Sequence, residues 1–142
     1  MKKYKNIFLF GDKVKRQNIP EEFIPIYNLF FQDCGQGKVN EFKIDMNRVF
    51  INGDNGSTDK NELMLRLNTF TNTLVVARIE FINKRRGYMT KLQDLLNDFG
   101  IKNGFKYIEI ESVLTNEMLS FIKKKGYKEI KYNPMCFYRE IK

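Results

Sequence analysis

The chain has 142 residues, 25 Lys and Arg against 17 Asp and Glu, and a formal net charge of +8. That length supports one domain, residues 1–142, with its own core, and is too short for two; 42% hydrophobic and 14% aromatic residues exclude a disordered chain, which would have too little to bury. Without a single His the usual catalytic base and the commonest metal ligand are both missing, so no metal is expected; the positive balance anticipates an anionic partner, unless it serves only to keep the surface solvated.

Residues 4–10 read as a first strand, closed by a turn at Gly11 and Asp12. The apolar run within it is too short for a signal peptide, no small-residue cleavage site follows, and nothing in the chain reaches membrane-spanning length. Cys34 and Cys136 are too few and too far apart for a disulfide framework, so a reducing, cytoplasmic setting is expected. Pro20 with Glu21 and Glu22 starts a helix in which Phe23, Ile26, Tyr27, Phe30 and Phe31 recur at helical spacing until Gly35 and Gly37, with Pro25 kinking or delaying it. Phe42, Ile44 and Met46 then alternate, as do Leu63, Leu65 and Leu67, which predicts two half-buried strands flanking a loop from Gly53 through Asp54, Asn55 and Gly56 to Ser57.

Residues 74–82 form a central strand with Val75, Ala77, Ile79 and Phe81 on one face and Val76, Arg78, Glu80 and Ile82 on the other. Met89, Leu92, Leu95, Leu96 and Phe99 follow at helical spacing, ending at Gly100 or Gly104. Another apolar strand covers 105–113, giving a beta-alpha-beta unit with a right-handed crossover. A helix from about residue 116 to 125, a stop at Gly126 and Tyr127, and a final strand pair complete the chain. No internal repeat, low-complexity tract or linker interrupts it.

The most informative stretch joins the central strand to the following helix through Lys84, Arg85, Arg86 and Gly87. A glycine there lets a ligand approach the backbone, and the free N–H groups of a helix's first turn, with the positive end of the dipole, point at an anion. Cations at a helix start oppose that dipole, which argues against Lys84, Arg85 and Arg86 being only solvated decoration. Lys123, Lys124 and Lys125, by contrast, sit at a helix end where cations are favourable, and read most simply as a solvated face.

The run Lys84-Arg85-Arg86-Gly87-Tyr88-Met89 resembles the signature of the GNAT acyl-CoA N-acyltransferases, in which Gln or Arg, two residues, Gly, one residue and Gly or Ala lie between the fourth strand and the third helix. It departs from that signature at Lys84 and Met89, and the proline usual between strand and signature is missing. The element order from about Leu63 to Ile141 is similar to the family's, while the first sixty residues carry no matching motif. The resemblance implies an α/β (α+β) single domain with a mixed, mostly antiparallel sheet flanked by helices. It further implies acetyl-CoA as co-substrate, with Lys84 and the amides of Arg85, Arg86, Gly87, Tyr88, Met89 and Thr90 around the pyrophosphate. Backbone groups of Ile79, Glu80 and Phe81 would line the pantetheine arm, and Asn116 at the start of the next helix would join the site.

The same resemblance makes Glu80 the expected general base toward an amine acceptor, small molecule or protein, since desolvation on a buried strand raises a carboxyl toward neutral pH. Its competing reading is a rim position or an ion pair with Arg78; Glu109 and Glu111 are weaker substitutes. The family's acid, a tyrosine four residues before the Gly-aromatic stop, falls on Ile122, leaving Tyr127, Tyr138 and Cys136 as substitutes. An Ile122 that lines the coenzyme channel should accept replacement by tyrosine. The alternative is a GNAT-shaped protein that holds coenzyme without turnover and acts through its basic surface on a protein or nucleic acid. A nucleic-acid-binding domain without coenzyme is a further rival, although no recognition helix, aromatic-basic strand motif or zinc ligand set is readable.

Overall fold

The computed structural model describes residues 7–10 and 14–142. The expected turn at Gly11 and Asp12, and residues 4–6 of the expected first strand, lie outside the described residues; β1 is Ile7–Phe10. Two single turns of 3-10 helix, Arg16–Asn18 and Glu21–Phe23, precede α1, Ile24–Asp33. Pro25 accounts for the late start: lacking an N–H, it is tolerated only in a helix's first turn, so the helix begins around it rather than at Pro20.

An antiparallel run follows: β2 (Lys38–Asp45), β3 (Arg48–Asp54), β4 (Lys60–Asn68) and β5 (Thr73–Glu80). After it come α2 (Tyr88–Asn103), β6 (Tyr107–Ile110), α3 (Asn116–Lys124), β7 (Lys128–Glu129) and β8 (Phe137–Glu140). The sheet order is β1-β2-β3-β4-β5-β6-β8-β7, and β5 with β6 is its parallel pair. The site-bearing strand is thus the fifth of the chain and its helix the second α-helix.

β3 is the element the sequence hides. The alternation Phe42, Ile44 was extended to Met46, but the chain reverses there in a tight turn with Met46 at φ 56° and Asp45 paired to Arg48. Gly53 is in the strand, not in a loop. A Cβ on it would lie 2.6 Å from Cys34 Sγ and 2.7 Å from the Lys38 carbonyl, so the glycine is there because the end of α1 packs directly onto β3.

One face of the sheet carries Phe42, Ile44, Val49, Ile51, Leu63, Leu65, Leu67, Leu74, Val76, Ile108 and Ile110, which form a single buried cluster with Phe23, Ile26 and Phe30 and with Leu92, Leu96 and Phe99 of α2. Each such side chain contributes about 1.5–3 kcal/mol relative to exposure. Phe23 stacks on Phe99 at 5.1 Å, which fixes α1 against α2. Ile122 of α3 joins the same cluster. Its helix is capped by Thr115 Oγ1, which accepts from Met118 N–H at 3.1 Å, and is closed at Gly126, φ 74°, where Tyr127 N–H returns to the Ile122 carbonyl at 3.1 Å.

Candidate functional site

The β4–β5 ladder shifts register between Met64 and Leu65, leaving Ala77 as an extra residue on β5. Such a bulge bends its strand and re-aims the residues beyond it. Strict alternation therefore fails at this point: Val76 pairs with Leu65 and Ile79 with Leu63, so Val76 and Ile79 share the buried face, while Arg78 and Glu80 pair with Met64 and Glu62 on the exposed one. Beyond the bulge β5 also parts from β6. Their last ladder partners are Val76 and Ile110, followed by Glu111 N–H to the Val76 carbonyl at 3.0 Å, whereas β5 continues to Glu80 against β4 alone. The backbone edge of residues 77–80 on the β6 side is left open beside a wedge, at the carboxyl ends of the parallel pair, where open α/β sheets bind ligands.

Residues 81–87 connect the end of β5 to α2. Arg85 has φ 58° and Gly87 φ 79°, and Gly87 caps α2 without contributing a side chain, so helix geometry leaves the first-turn amides of Tyr88, Met89 and Thr90 without an intrahelical or capping acceptor. The space around Gly87 is open: a Cβ there would meet nothing within 4 Å. Lys84 Nζ lies 3.4 Å from Glu80 Oε1, and Arg85 Nη2 lies 3.5 Å from Glu117 Oε1. Both pairs are exposed and weak. The second brings the start of α3, with Asn116, alongside the turn. Lys84, Arg85 and Arg86 thus lie together on the turn that leads into the start of α2.

What holds the turn in place escaped the sequence reading. Asp33, the last residue of α1, is 1% exposed, and four N–H donors converge on its carboxylate. Ile82 N–H donates to Oδ2 at 2.7 Å, Asn83 N–H and Nδ2 to Oδ1 at 2.9 Å each, and Asn61 Nδ2 to Oδ2 at 3.0 Å. Asn83 Nδ2 also donates to the Asp33 carbonyl at 2.9 Å. Alongside, Phe81 is stacked between Phe30 at 5.0 Å and Tyr88 at 5.4 Å, a column from α1 through the end of β5 to the start of α2. One signal was readable: Asn61 falls in the inward phase of Leu63, Leu65 and Leu67, and a polar residue in that phase requires a buried partner.

Among the carboxyl groups, Glu80 is on the rim. Its side chain is 62% exposed and faces Lys84, so the desolvation expected of a buried-strand base is not what its surroundings provide. It borders a depression of about 290 Å³ shared with Thr58, Asp59, Lys60, Phe81, Ile82 and Lys84. Glu109 is the carboxyl raised above the ordinary range, first by burial and then by neighbouring Glu111, with Arg66 partly offsetting both. Arg66 pairs with Glu111 across β5 at the mouth of the wedge. Ile122 is 1% exposed within the core and does not line a channel. Of the substitute acids, Tyr127 has a buried hydroxyl without a partner, and burial raises its pKa strongly. Cys136 is buried, and Tyr138 stands opposite Glu109 on β8. A larger groove of about 580 Å³ between the start of α1 and the second half of α2 is remote from the wedge. No helix of the described residues is long and apolar enough to cross a membrane.

No family model and no curated protein matches the chain in sequence. In structure it is similar to nourseothricin acetyltransferase, with a TM-score of 0.50 and 12% identity over 75% of this chain and 84% of that one. It is also similar to a GNAT-family acetyltransferase from Staphylococcus aureus Mu50 (TM-score 0.47, 14% identity, 92% of this chain and 82% of that one). A third similar structure is IAA acetyltransferase from Bacillus cereus (TM-score 0.48, 11% identity, 96% and 99%). The first of these likenesses shows that this chain shares the fold of that acetyltransferase.

Proposed function

We propose that the protein is an N-acetyltransferase that moves an acetyl group from acetyl-CoA directly to a primary amine. The observation that carries this reading is the continuity of two features: a strand edge opened by the Ala77 bulge runs into a glycine-capped, cationic helix start. The likeness in fold to an acetyltransferase supports it. In this reading the amides of residues 85–90, with Lys84, Arg85 and Arg86, hold the pyrophosphate. The open edge at Ile79, Glu80 and Phe81 aligns the pantetheine arm, and an edge amide polarises the thioester carbonyl. The amine nitrogen attacks the carbonyl carbon, the C–N bond forms as C–S breaks, and the nitrogen's proton passes to Glu80 directly or through water while the thiolate departs. Positioning and carbonyl polarisation supply most of the acceleration, and no metal is required.

The burial of Ile122 in the core favours a second reading, in which the same cradle holds coenzyme without turnover. Thermal unfolding and a thiol-release assay with a panel of amines separate the two. Acetyl-CoA at about a hundred times its Kd is expected to raise the midpoint by on the order of 10 °C, and adenosine far less, because the binding energy sits in the pyrophosphate contacts. Equal shifts from both compounds, or none from either, refute the cradle. Protection by acetyl-CoA without thiol release from any amine selects the second reading.

A further inference from the structure

We infer that Asp33 is a positioning residue for the cradle: its buried carboxylate sets where β5 ends, and thereby where the first-turn amides of α2 point. The functional side of this inference rests on the coenzyme-binding reading of that turn. Residues 81–87 belong to no helix or strand, yet they hold two left-handed residues, Arg85 at φ 58° and Gly87 at φ 79°. Sparsely populated conformations of this kind persist only where the surroundings over-determine them. Asp33 is what over-determines the entry to the turn, because two consecutive amides, Ile82 and Asn83, donate to it from about fifty residues along the chain.

The chemistry selects a carboxylate. Each oxygen accepts from a backbone N–H, Oδ2 from Ile82 and Oδ1 from Asn83, so an amide at this position would turn its own NH2 against one of them. Asp33 closes α1, whose N-cap Phe23 stacks on Phe99 of α2, so the anchor belongs to a helix packed at its other end. Charge alone would act in the opposite sense. A buried anion behind an anion site repels the ligand; its field reaches the first residue of α2, where Tyr88 is raised chiefly by burial and then by Asp33, with Arg86 opposing. Removing the charge therefore tightens coenzyme binding if Asp33 acts only through its field, and weakens it if Asp33 acts through position.

The test compares Asp33→Asn with Leu67→Ala, a core substitution at the distant end of β4, opposite Leu74. Amide hydrogen exchange in the ligand-free proteins reads position without reference to coenzyme, and calorimetry with acetyl-CoA reads its consequence. Asp33→Asn is expected to speed exchange at Ile82, Asn83 and Lys91, whose N–H donates to the Gly87 carbonyl at 3.0 Å, by about tenfold or more relative to Leu67→Ala, and to weaken acetyl-CoA by about tenfold. Unchanged exchange in that segment, or equal or tighter binding, overturns the inference. If the wild-type protein binds no acetyl-CoA, the functional reading falls, while the exchange result still decides whether Asp33 fixes the turn. Should Asp33→Asn not fold, Asn83→Ala removes two of the hydrogen bonds and leaves the carboxylate. Faster exchange at Ile82 and Lys91 with weaker binding supports the inference, and wild-type behaviour in both overturns it.

Discussion

Gly87→Val is expected to weaken acetyl-CoA binding by about a hundredfold, or ~2.7 kcal/mol, while costing only about 1–2 kcal/mol of stability. At φ 79° an L side chain is strained even though the space around the glycine is open, and a branched side chain there would occupy space that the coenzyme-binding reading gives to the pyrophosphate. Gly104→Val supplies the control. It lies at the other end of the same helix with φ 80° and equally open space, so it incurs the same strain away from the cradle. Calorimetry on both proteins should show matched stability losses and a loss of affinity in Gly87→Val alone. Equal affinities in the two variants remove Gly87 from the site.

Ile122 gives the largest expected effect on stability. Truncation to Ala should cost about 2–5 kcal/mol, since the side chain is 1% exposed in the cluster that joins α3 to the sheet. Replacement by tyrosine should also destabilise, by about 1–3 kcal/mol, because a ring has to displace packed neighbours. Ile101→Ala, at an exposed position of α2, should stay within about 0.5 kcal/mol. Chemical denaturation of the three proteins measures this directly; an Ile122→Tyr protein as stable as wild type would place the residue at a cavity instead of in the core. The expectation that it accepts tyrosine held only if the helix turned that position toward the wedge.

Much of the C-terminal half was legible from the sequence because its signals are local. Apolar spacing from Met89 to Phe99 and the stop at Gly126 each act within a few residues. What stayed hidden depends on contacts across the fold. β3 was lost because Met46 takes a left-handed turn conformation usually signalled by Gly or Asn, and because Gly53 answers to Cys34 rather than to a turn. The two faces of β5 were misassigned since a bulge at Ala77 leaves no mark on a strict alternation. The basic turn stands out in the sequence as a candidate anion site, yet its anchor does not: Asp33 is about fifty residues from the amides it receives, beyond any periodicity. Glu80 read as a buried strand carboxylate because the strand was taken to run past it, whereas β5 ends there, in solvent.

The central claim is that the turn before α2 receives a pyrophosphate while the open edge of β5 receives the arm attached to it. Titrating isotope-labelled protein with acetyl-CoA, and separately with inorganic pyrophosphate, and following backbone amide resonances tests both halves at once. The account predicts that acetyl-CoA moves the amides of residues 85–90 together with those of 77–81, while pyrophosphate moves the first set and leaves the second in place. Acetyl-CoA that leaves residues 85–90 unmoved, or moves only the basic surface around Lys123, Lys124 and Lys125, would contradict it.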